Sequence, residues 1–470
     1  MNTQKTLASE AVKKPGLFRS SVVVSVMTML SRVLGLARDI VIARLVGAEA
    51  NADAFYLAFK IPNFFRRLFA EGAFSQAFVP VLSEYRANGS KAAVQHFIDR
   101  VAGCLGLSLL ALCSFAVVAS PAVTVIFAFG FLDEPEKFWL TSDLLRLTFP
   151  YLFLISMTGL AGAILNSYDQ FAIPAITPVF LNISLIFAAV VVAPWFQEPA
   201  MALAWGVLAA GAIQLTFQVP FLLRLGLIPH PKVDWSDESV RKVLRLMAPA
   251  MFGVSVSQIN LLFDTILAAL LPTGSVSWLY LSDRLVELPL GVFGVGIATV
   301  ILPSLSRQFS KGTDQFSLTL DWALRIILLV ALPSALALIM LAEPILYTLF
   351  QYGKIEPSDV DMVRVSLSAY AIGLTAFMLI KVLASGYFSR QDMKTPVRIG
   401  VIAMLSNMVL NVLFVVPLHV FWQVGHAGLA LATSVSAFIN AGLLYRGLVQ
   451  SEAYTPSAGW ARHFLRLLLA

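Results

Sequence analysis

SSVVVSVMTMLSRVLGLARDIVIARLV, residues Ser20–Val46, is the stretch whose reading decides the fold. It is long and apolar enough to cross a bilayer, which takes about 20 residues at 1.5 Å each. Yet Arg32, Arg38 and Asp39 stand in its middle. A charge at the bilayer centre costs at least ~2.5–3.5 kcal/mol, so these side chains are expected to face a wet interior or one another rather than lipid. At 100° per residue Arg32, Gly35 and Asp39 share one stripe, with Ser31 and Arg38 beside it. Val, Met, Leu and Ile fill the opposite side. The stretch reads as a helix with its back to lipid and a cationic face toward a cavity walled by the rest of the chain.

Composition agrees. Hydrophobic residues make up 58% and charged residues 13%, against roughly 25% charged in soluble domains. This is an all-α polytopic membrane protein. Net charge is +6. Cys104 and Cys113 lie in one apolar run, which excludes a disulfide framework and a metal site between them. The histidines show no ligand spacing. The first apolar run is too long for a cleavable signal peptide and lacks its small-residue cleavage pattern. No phosphate-binding P-loop occurs, so ATP is not used by the usual route. No Ser/His/Asp set or grouped acids suggest an enzyme.

The pattern predicts twelve spans, over 20–46, 53–82, 101–127, 144–165, 174–196, 201–223, 243–271, 277–304, 318–342, 362–386, 397–418 and 426–449, and the start of a thirteenth near Trp460. The connections on one side hold Lys5, Lys13, Lys14, Arg19, Arg86, Lys91, Arg100, the basic run from Arg224 to Arg245, Arg307, Lys311, Arg390, Lys394, Arg398, Arg446 and Arg462; those on the other hold only Lys137 and Lys354. The positive-inside rule makes the first side, and the N-terminus, cytoplasmic.

Val79-Pro80-Val81-Leu82-Ser83 recurs as Leu302-Pro303-Ser304-Leu305-Ser306, 223 residues on, and Ser167–Pro174 resembles Tyr387–Pro396 at an offset of 222. Two matches at one spacing indicate duplicated six-helix halves. Six is even, so both insert with the same sense, and the pseudo-two-fold axis lies along the membrane normal with a site between the lobes. The expected organisation is a cytoplasmic segment 1–19, a first lobe 20–226, a cytoplasmic linker 227–242, a second lobe 243–450, and a connection with the start of a C-terminal helix pair in 451–470.

Three groups of residues carry chemistry. The second span holds Asp53, Lys60, Asn63, Arg66, Arg67 and Glu71, with Pro62 set to bend it. The eighth holds Tyr280, Asp283, Arg284 and Glu287, followed by Pro289, Gly291, Gly294 and Gly296. Uncompensated cations at depth imply an anionic guest or water, whereas mutually neutralised pairs would only lock helices together. The third group is Asp264, Asn407, Asn411 and Thr433. One carboxylate with amide and hydroxyl oxygens suits a hard monovalent cation; interhelical hydrogen bonding is the other reading.

These residues resemble the MurJ (MviN) lipid II flippases of the multidrug/oligosaccharidyl-lipid/polysaccharide exporter superfamily. The likeness is carried by Ser31-Arg32-Val-Leu-Gly35-Leu-Ala-Arg38-Asp39, Pro62-Asn63-Phe-Phe-Arg66-Arg67, Phe69–Pro80, Gly253–Gln258, Gly274–Trp278, Asp283-Arg284-Leu-Val-Glu287, Phe350–Lys354 and Tyr387–Pro396, and it covers essentially the whole chain. It implies two six-helix lobes around a central cationic cavity, then two helices bordering a hydrophobic groove. By that standard the chain stops inside the thirteenth helix, without a fourteenth. The resemblance also implies that Arg32, Arg38, Asp39, Asp53, Arg66, Arg284 and Glu287 line or organise the cavity, and it strengthens the sodium reading of Asp264, Asn407, Asn411 and Thr433.

The function so implied is flipping of undecaprenyl-pyrophosphoryl-disaccharide-pentapeptide, lipid II, from the cytoplasmic to the periplasmic leaflet for peptidoglycan synthesis. It would proceed by alternating access, driven by membrane potential or an ion gradient. Arg32, Arg38 and Arg284, helped by Arg66, would bind the anionic head group; Asp39, Asp53 and Glu287 would hold the arginines. The expected location is the bacterial cytoplasmic (inner) membrane. Expected partners are lipid II, membrane lipids and cell-wall synthesis enzymes, with no nucleic acid; the chain is expected to be a monomer with no cofactor beyond Na+. Two alternatives stand beside this: a cation-coupled exporter of another substrate from the same superfamily, and a membrane scaffold whose buried charges are structural.

Overall fold

The computed structural model describes residues 15–68, 73–309, 313–460 and 462. Among these the chain is helical throughout, without a strand. In order the helices are α1 (Pro15–Val46), α2 (Ala50–Arg66), α3 (Ala73–Asn88), α4 (Lys91–Val118), α5 (Ser120–Phe127), α6 (Pro135–Ser167), α7 (Ala172–Phe187), α8 (Pro199–Leu225), α9 (Glu238–Ala269), α10 (Ser275–Pro289), α11 (Val295–Phe309), α12 (Thr313–Met340), α13 (Ala342–Phe350), α14 (Pro357–Phe388), α15 (Lys394–Trp422) and α16 (Gly425–Gln450).

Nine helical spans among the described residues are long and apolar enough to cross a membrane. The other three expected spans coincide with α1, the α2–α3 pair and α9, of which only Gln258–Ala269 reads as an apolar stretch. Those three hold Arg32, Arg38, Asp39, Asp53, Lys60, Arg66 and Asp264, and charge is what lowers their hydropathy; Asp283, Arg284 and Glu287 lie on α10, within one of the nine.

The expected boundaries need four corrections. The second span is two helices: α2 ends in a wider π-helical turn at Arg67–Leu68, and α3 begins at Ala73. The third begins ten residues early, at Lys91, where Ser90 caps the helix by accepting from Ala93 N at 3.2 Å. It stops at Val118, with Ala119 as C-cap, because Pro121 has no N–H to donate to Val117 O. The eighth runs on through a π-helical stretch at Leu290–Gly294 into α11. The ninth ends at Met340, and α13 follows separately. The expected thirteenth helix, apart from Trp460 and Arg462, lies outside the described residues, as does Glu71.

Pro62 has no N–H to donate to Ala58 O. The Thr148 hydroxyl of α6 donates to that carbonyl instead, at 3.0 Å. In a membrane interior such a replacement is what makes a proline tolerable.

The element order repeats. Lys91–Val118 and Thr313–Met340, Ser120–Phe127 and Ala342–Phe350, and Pro135–Ser167 and Pro357–Phe388 each start 222 residues apart. The π-helical turns at Arg67 and Leu290 are 223 apart. Asp169 (φ 61°) and Gln391 (φ 60°), 222 apart, occupy the same left-handed turn position.

The second half also exits as the first does. Asp99 on α4 accepts from His230 N at 2.8 Å, and Gln95 Nε2, also on α4, donates to Ile228 O at 2.7 Å, strapping the segment after α8 to α4. Asp321 on α12, 222 residues later, accepts from the Tyr454 hydroxyl at 2.7 Å, Ser457 Oγ at 2.6 Å and Trp460 Nε1 at 2.8 Å. Thus much of the expected linker is not a free tether. Its last residues belong to α9, capped by Asp237, whose carboxylate accepts from Ser239 N at 2.9 Å. Burial opposes ionisation of Asp237, and the Ser239 and Val240 hydrogen bonds outweigh it, holding the carboxyl below its ordinary range. The start of α9 packs with α3 and α4 through Val240 and Val243, whereas its end is tied to α15 through Asp264 and Asn411.

Candidate functional site

A cavity of about 280 Å³ opens where α1, α2, α7, α9, α10 and α14 meet. Its basic side chains are Arg38, Lys60, Arg66, Arg67 and Arg284; its acidic ones are Asp264, Asp283 and Glu287. Tyr56, Tyr280, Tyr370, Asn63 and Gln258 supply neutral polar groups.

Asp39 is the node behind it. The side chain is 1% exposed. Oδ1 accepts from Arg38 Nη2 at 2.6 Å, Arg38 Nε at 2.9 Å and the Tyr280 hydroxyl at 3.0 Å. Oδ2 lies 3.2 Å from Arg284 Nε. One carboxylate from the first half therefore binds an arginine from each half. Tyr280 OH also accepts from Arg38 Nη2 at 2.9 Å and Arg284 Nη2 at 3.1 Å. Arg284 Nη1 then reaches Glu287 at 2.8 Å. Asn182 on α7 fixes the other edge: its Oδ1 accepts from Arg38 Nη1 at 3.1 Å and its Nδ2 donates to Ser31 O at 3.0 Å. Charge-assisted bonds of this kind hold a planar guanidinium in one orientation. Arg284 remains 33% exposed, so part of its fork is open to a guest.

Arg66 and Arg67 both line the cavity, and Arg66 Nε donates to Asn63 at 2.9 Å. Arg32 lies elsewhere. Its guanidinium rests on Gly291, where a Cβ would fall inside it. The bare glycine is what lets α1 and the α10–α11 junction approach.

Asp53 does not line this cavity either. It is buried at the first turns of α2 and α10, accepting from Gly274 N at 2.7 Å, Ser277 N at 2.9 Å and Ser277 Oγ at 2.6 Å, with Lys137 Nζ at 3.3 Å. It caps α10 and joins the two halves. Lys137, expected in a loop, is 3% exposed and also donates to Thr273 at 2.9 Å.

The third group does converge. Asp264 accepts from Asn411 Nδ2 at 2.7 Å, Thr433 Oγ1 at 3.2 Å and Asn260 Nδ2 at 3.4 Å. Asn407 joins through Asn260, at 2.9 Å. The side-chain oxygens of Asn407 and Asn411 are buried without a hydrogen-bond partner. No group of three or more His, Cys, Asp or Glu side chains gathers as a metal site among the described residues.

Sequence reasoning singled out Lys60, Tyr280 and Asp283 without assigning them to the cavity. It missed Asn182, Tyr56 and Tyr370. A lone Asn or Tyr in an apolar helix gives little signal, because each is as common in interhelical packing.

The comparisons with known proteins agree with the geometry. Residues 42–470 match the family described as "Lipid II flippase MurJ". The chain is 52% identical over 446 residues to a "Probable lipid II flippase MurJ" of Vibrio cholerae, covering 93% of this chain and 84% of that one. It is 42% identical over 457 residues to the "Lipid II flippase MurJ" of Burkholderia cenocepacia, covering 96% and 87%. A solved lipid II flippase MurJ in an inward closed conformation superposes with a TM-score of 0.80 at 27% identity, covering 95% of this chain and 90% of that one. An inward-facing multidrug resistance transporter of the MATE family shares the fold, with a TM-score of 0.74 at 15% identity over 93% of this chain and 100% of that one. By family match, identity and fold, the chain belongs to the lipid II flippase MurJ family of transporters.

Proposed function

We propose that this chain moves lipid II from the cytoplasmic to the periplasmic leaflet by alternating access, driven by membrane potential or an ion gradient. The observation that carries the reading is a cavity built from both halves whose lining holds five basic and three acidic side chains. The lipid II head group presents pyrophosphate and peptide carboxylates, which planar guanidinium forks bind in bidentate fashion. Arg38 and Arg284 are the primary anion ligands, with Arg66 beside them. Asp39 holds both guanidinia and makes the empty cavity tolerable; Glu287 does the same on the far side of Arg284. Arg32 joins only when the α10–α11 junction moves off it. Asp53 latches the halves rather than touching the head group.

The lobes 20–226 and 243–450 rock about an axis along the membrane normal, with the N-terminus cytoplasmic and the protein in the inner membrane as a monomer. The polyprenyl tail stays in lipid. The Asp264 group fits a sodium ion: a hard cation takes oxygen ligands, and a carboxylate stands beside two amide oxygens that lack partners. A bound cation would supply neutralising charge there.

The test is transbilayer movement of fluorescent lipid II in vesicles containing the purified chain, with and without an imposed potential. Potential-sensitive movement by the native chain, lost in Arg38→Ala and Arg284→Ala at equal incorporation, is the expected result. Movement by both variants at the native rate would overturn the anion-binding assignment. No movement by the native chain would overturn the substrate.

A further inference from the structure

A second cavity, of about 150 Å³, lies outside the lobe interface. It is a groove between α4 and the first turns of α9, lined by Leu105, Leu109, Leu112, Val243 and Leu244 and closed at one end by Trp235. Its walls are almost wholly apolar, and α4 is one of the helices apolar enough to cross the membrane. Trp235 is 46% exposed.

The mouth is cationic. Arg241 Nε donates to Trp235 O at 3.4 Å, which places a guanidinium at the tryptophan end of the groove. Arg245, one turn on, extends the same stripe, and both arginines are exposed. Neither forms an ion pair among the described residues. Of the nearby acids, Asp234 pairs with Arg100 at 2.8 Å, Asp237 caps α9 and Glu84 pairs with Lys242 at 2.5 Å, while Glu238, one turn before Arg241, is exposed and leaves the patch with a net positive charge. An apolar slot along a helix long enough to cross the bilayer, with a tryptophan and two arginines free of ion pairs at one end, has the polarity of a phospholipid, chain inward and anionic head group outward.

We propose that this α4–α9 groove binds one acyl chain of an anionic phospholipid, with Arg241 and Arg245 on its phosphate. Exposed basic residues at a membrane surface each favour anionic lipid by about fivefold. The site also joins the two halves of the chain at the start of α9, away from the Asp39 cavity, so its occupancy is independent of the substrate reading.

The experiment uses the full chain in phosphatidylcholine vesicles with increasing brominated phosphatidylglycerol or, separately, brominated phosphatidylcholine. Bromine quenches tryptophan on contact, and the Trp235 signal is the difference between the native protein and Trp235→Phe. Quenching of Trp235 should saturate at a mole fraction of the anionic lipid at least fivefold lower than of the neutral one. Arg241→Gln/Arg245→Gln, both exposed and free of ion pairs, should bring the two curves together. Superimposed curves in the native protein mean an ordinary lipid annulus and overturn the proposal. So does an unquenched Trp235, or a preference that survives the double substitution.

Discussion

Asp39 and Asp53 are both 1% exposed, both on the first two helices and both bonded across the halves, yet they do opposite things. Asp53 spends its oxygens on the α10 N-terminus and on Lys137, a lysine 2% exposed in its side chain. Nothing in that cluster is left to bind a guest. Asp39 spends its oxygens on Arg38, Arg284 and Tyr280, and Arg284 keeps a third of its side chain open toward the cavity. A buried carboxylate is therefore a lock when its partners are consumed with it, and a mount when its partners retain free donors.

Breaking the lock should have the larger effect on stability. Asp53→Ala leaves Lys137 buried without its closest carboxylate, only the half-exposed Glu134 at 3.7 Å remaining, and loss of one partner of such a pair costs up to about 3–5 kcal/mol. Thermal unfolding in detergent should show it, and Asp53→Ala/Lys137→Met should recover part of the loss. A double variant no better than the single one would mean that capping of α10, not the ion pair, matters. Next comes the mount. Arg38→Ala or Arg284→Ala removes charge-assisted bonds to the head group worth about 1.5–3 kcal/mol each, roughly ten- to a hundredfold in transport. Arg284→Lys should restore charge but not the fork, and should stay well below native transport.

Between the two aspartates, Thr148→Val orphans Ala58 O beside Pro62. A buried unmade bond costs about 1–3 kcal/mol, read as a lower unfolding midpoint with lipid II binding unchanged. The smallest stability effect belongs to Gly291→Ala. The Cβ displaces only the far end of Arg32, so stability should shift by less than about 1 kcal/mol. Transport should fall nonetheless; unchanged transport would remove Arg32 from the mechanism.

The class, the repeat and the charge-bearing helices were readable because each rests on composition or spacing. Arg38, Asp39, Arg284 and Glu287 stand out in the sequence because charge in an apolar helix is conspicuous, and the structure gathers them at one cavity. Asp53 is equally conspicuous, yet its partners were not legible, since sequence reports that a charge is buried, not what consumes it. Its main partners are backbone N–H groups of Gly274 and Ser277, which no pattern marks. Lys137 was misread for the same reason: at a helix start it counts as a loop residue until Asp53 is seen beside it. The breaks at Arg67 and Leu290 depend on wider helical turns, which hydropathy does not register.

Lys60 and Asp283 stand 223 residues apart, at matching places in the two copies, and both line the central cavity. Lys137 and Asp359 are likewise 222 apart. A scaffold copied once thus carries opposite signs at equivalent addresses. A pair of identical first halves would set Lys60 against Lys60, and a pair of second halves Asp283 against Asp283. Opposite signs at these two cavity addresses let the copies offset each other's charge across the lining, which two identical halves would not do.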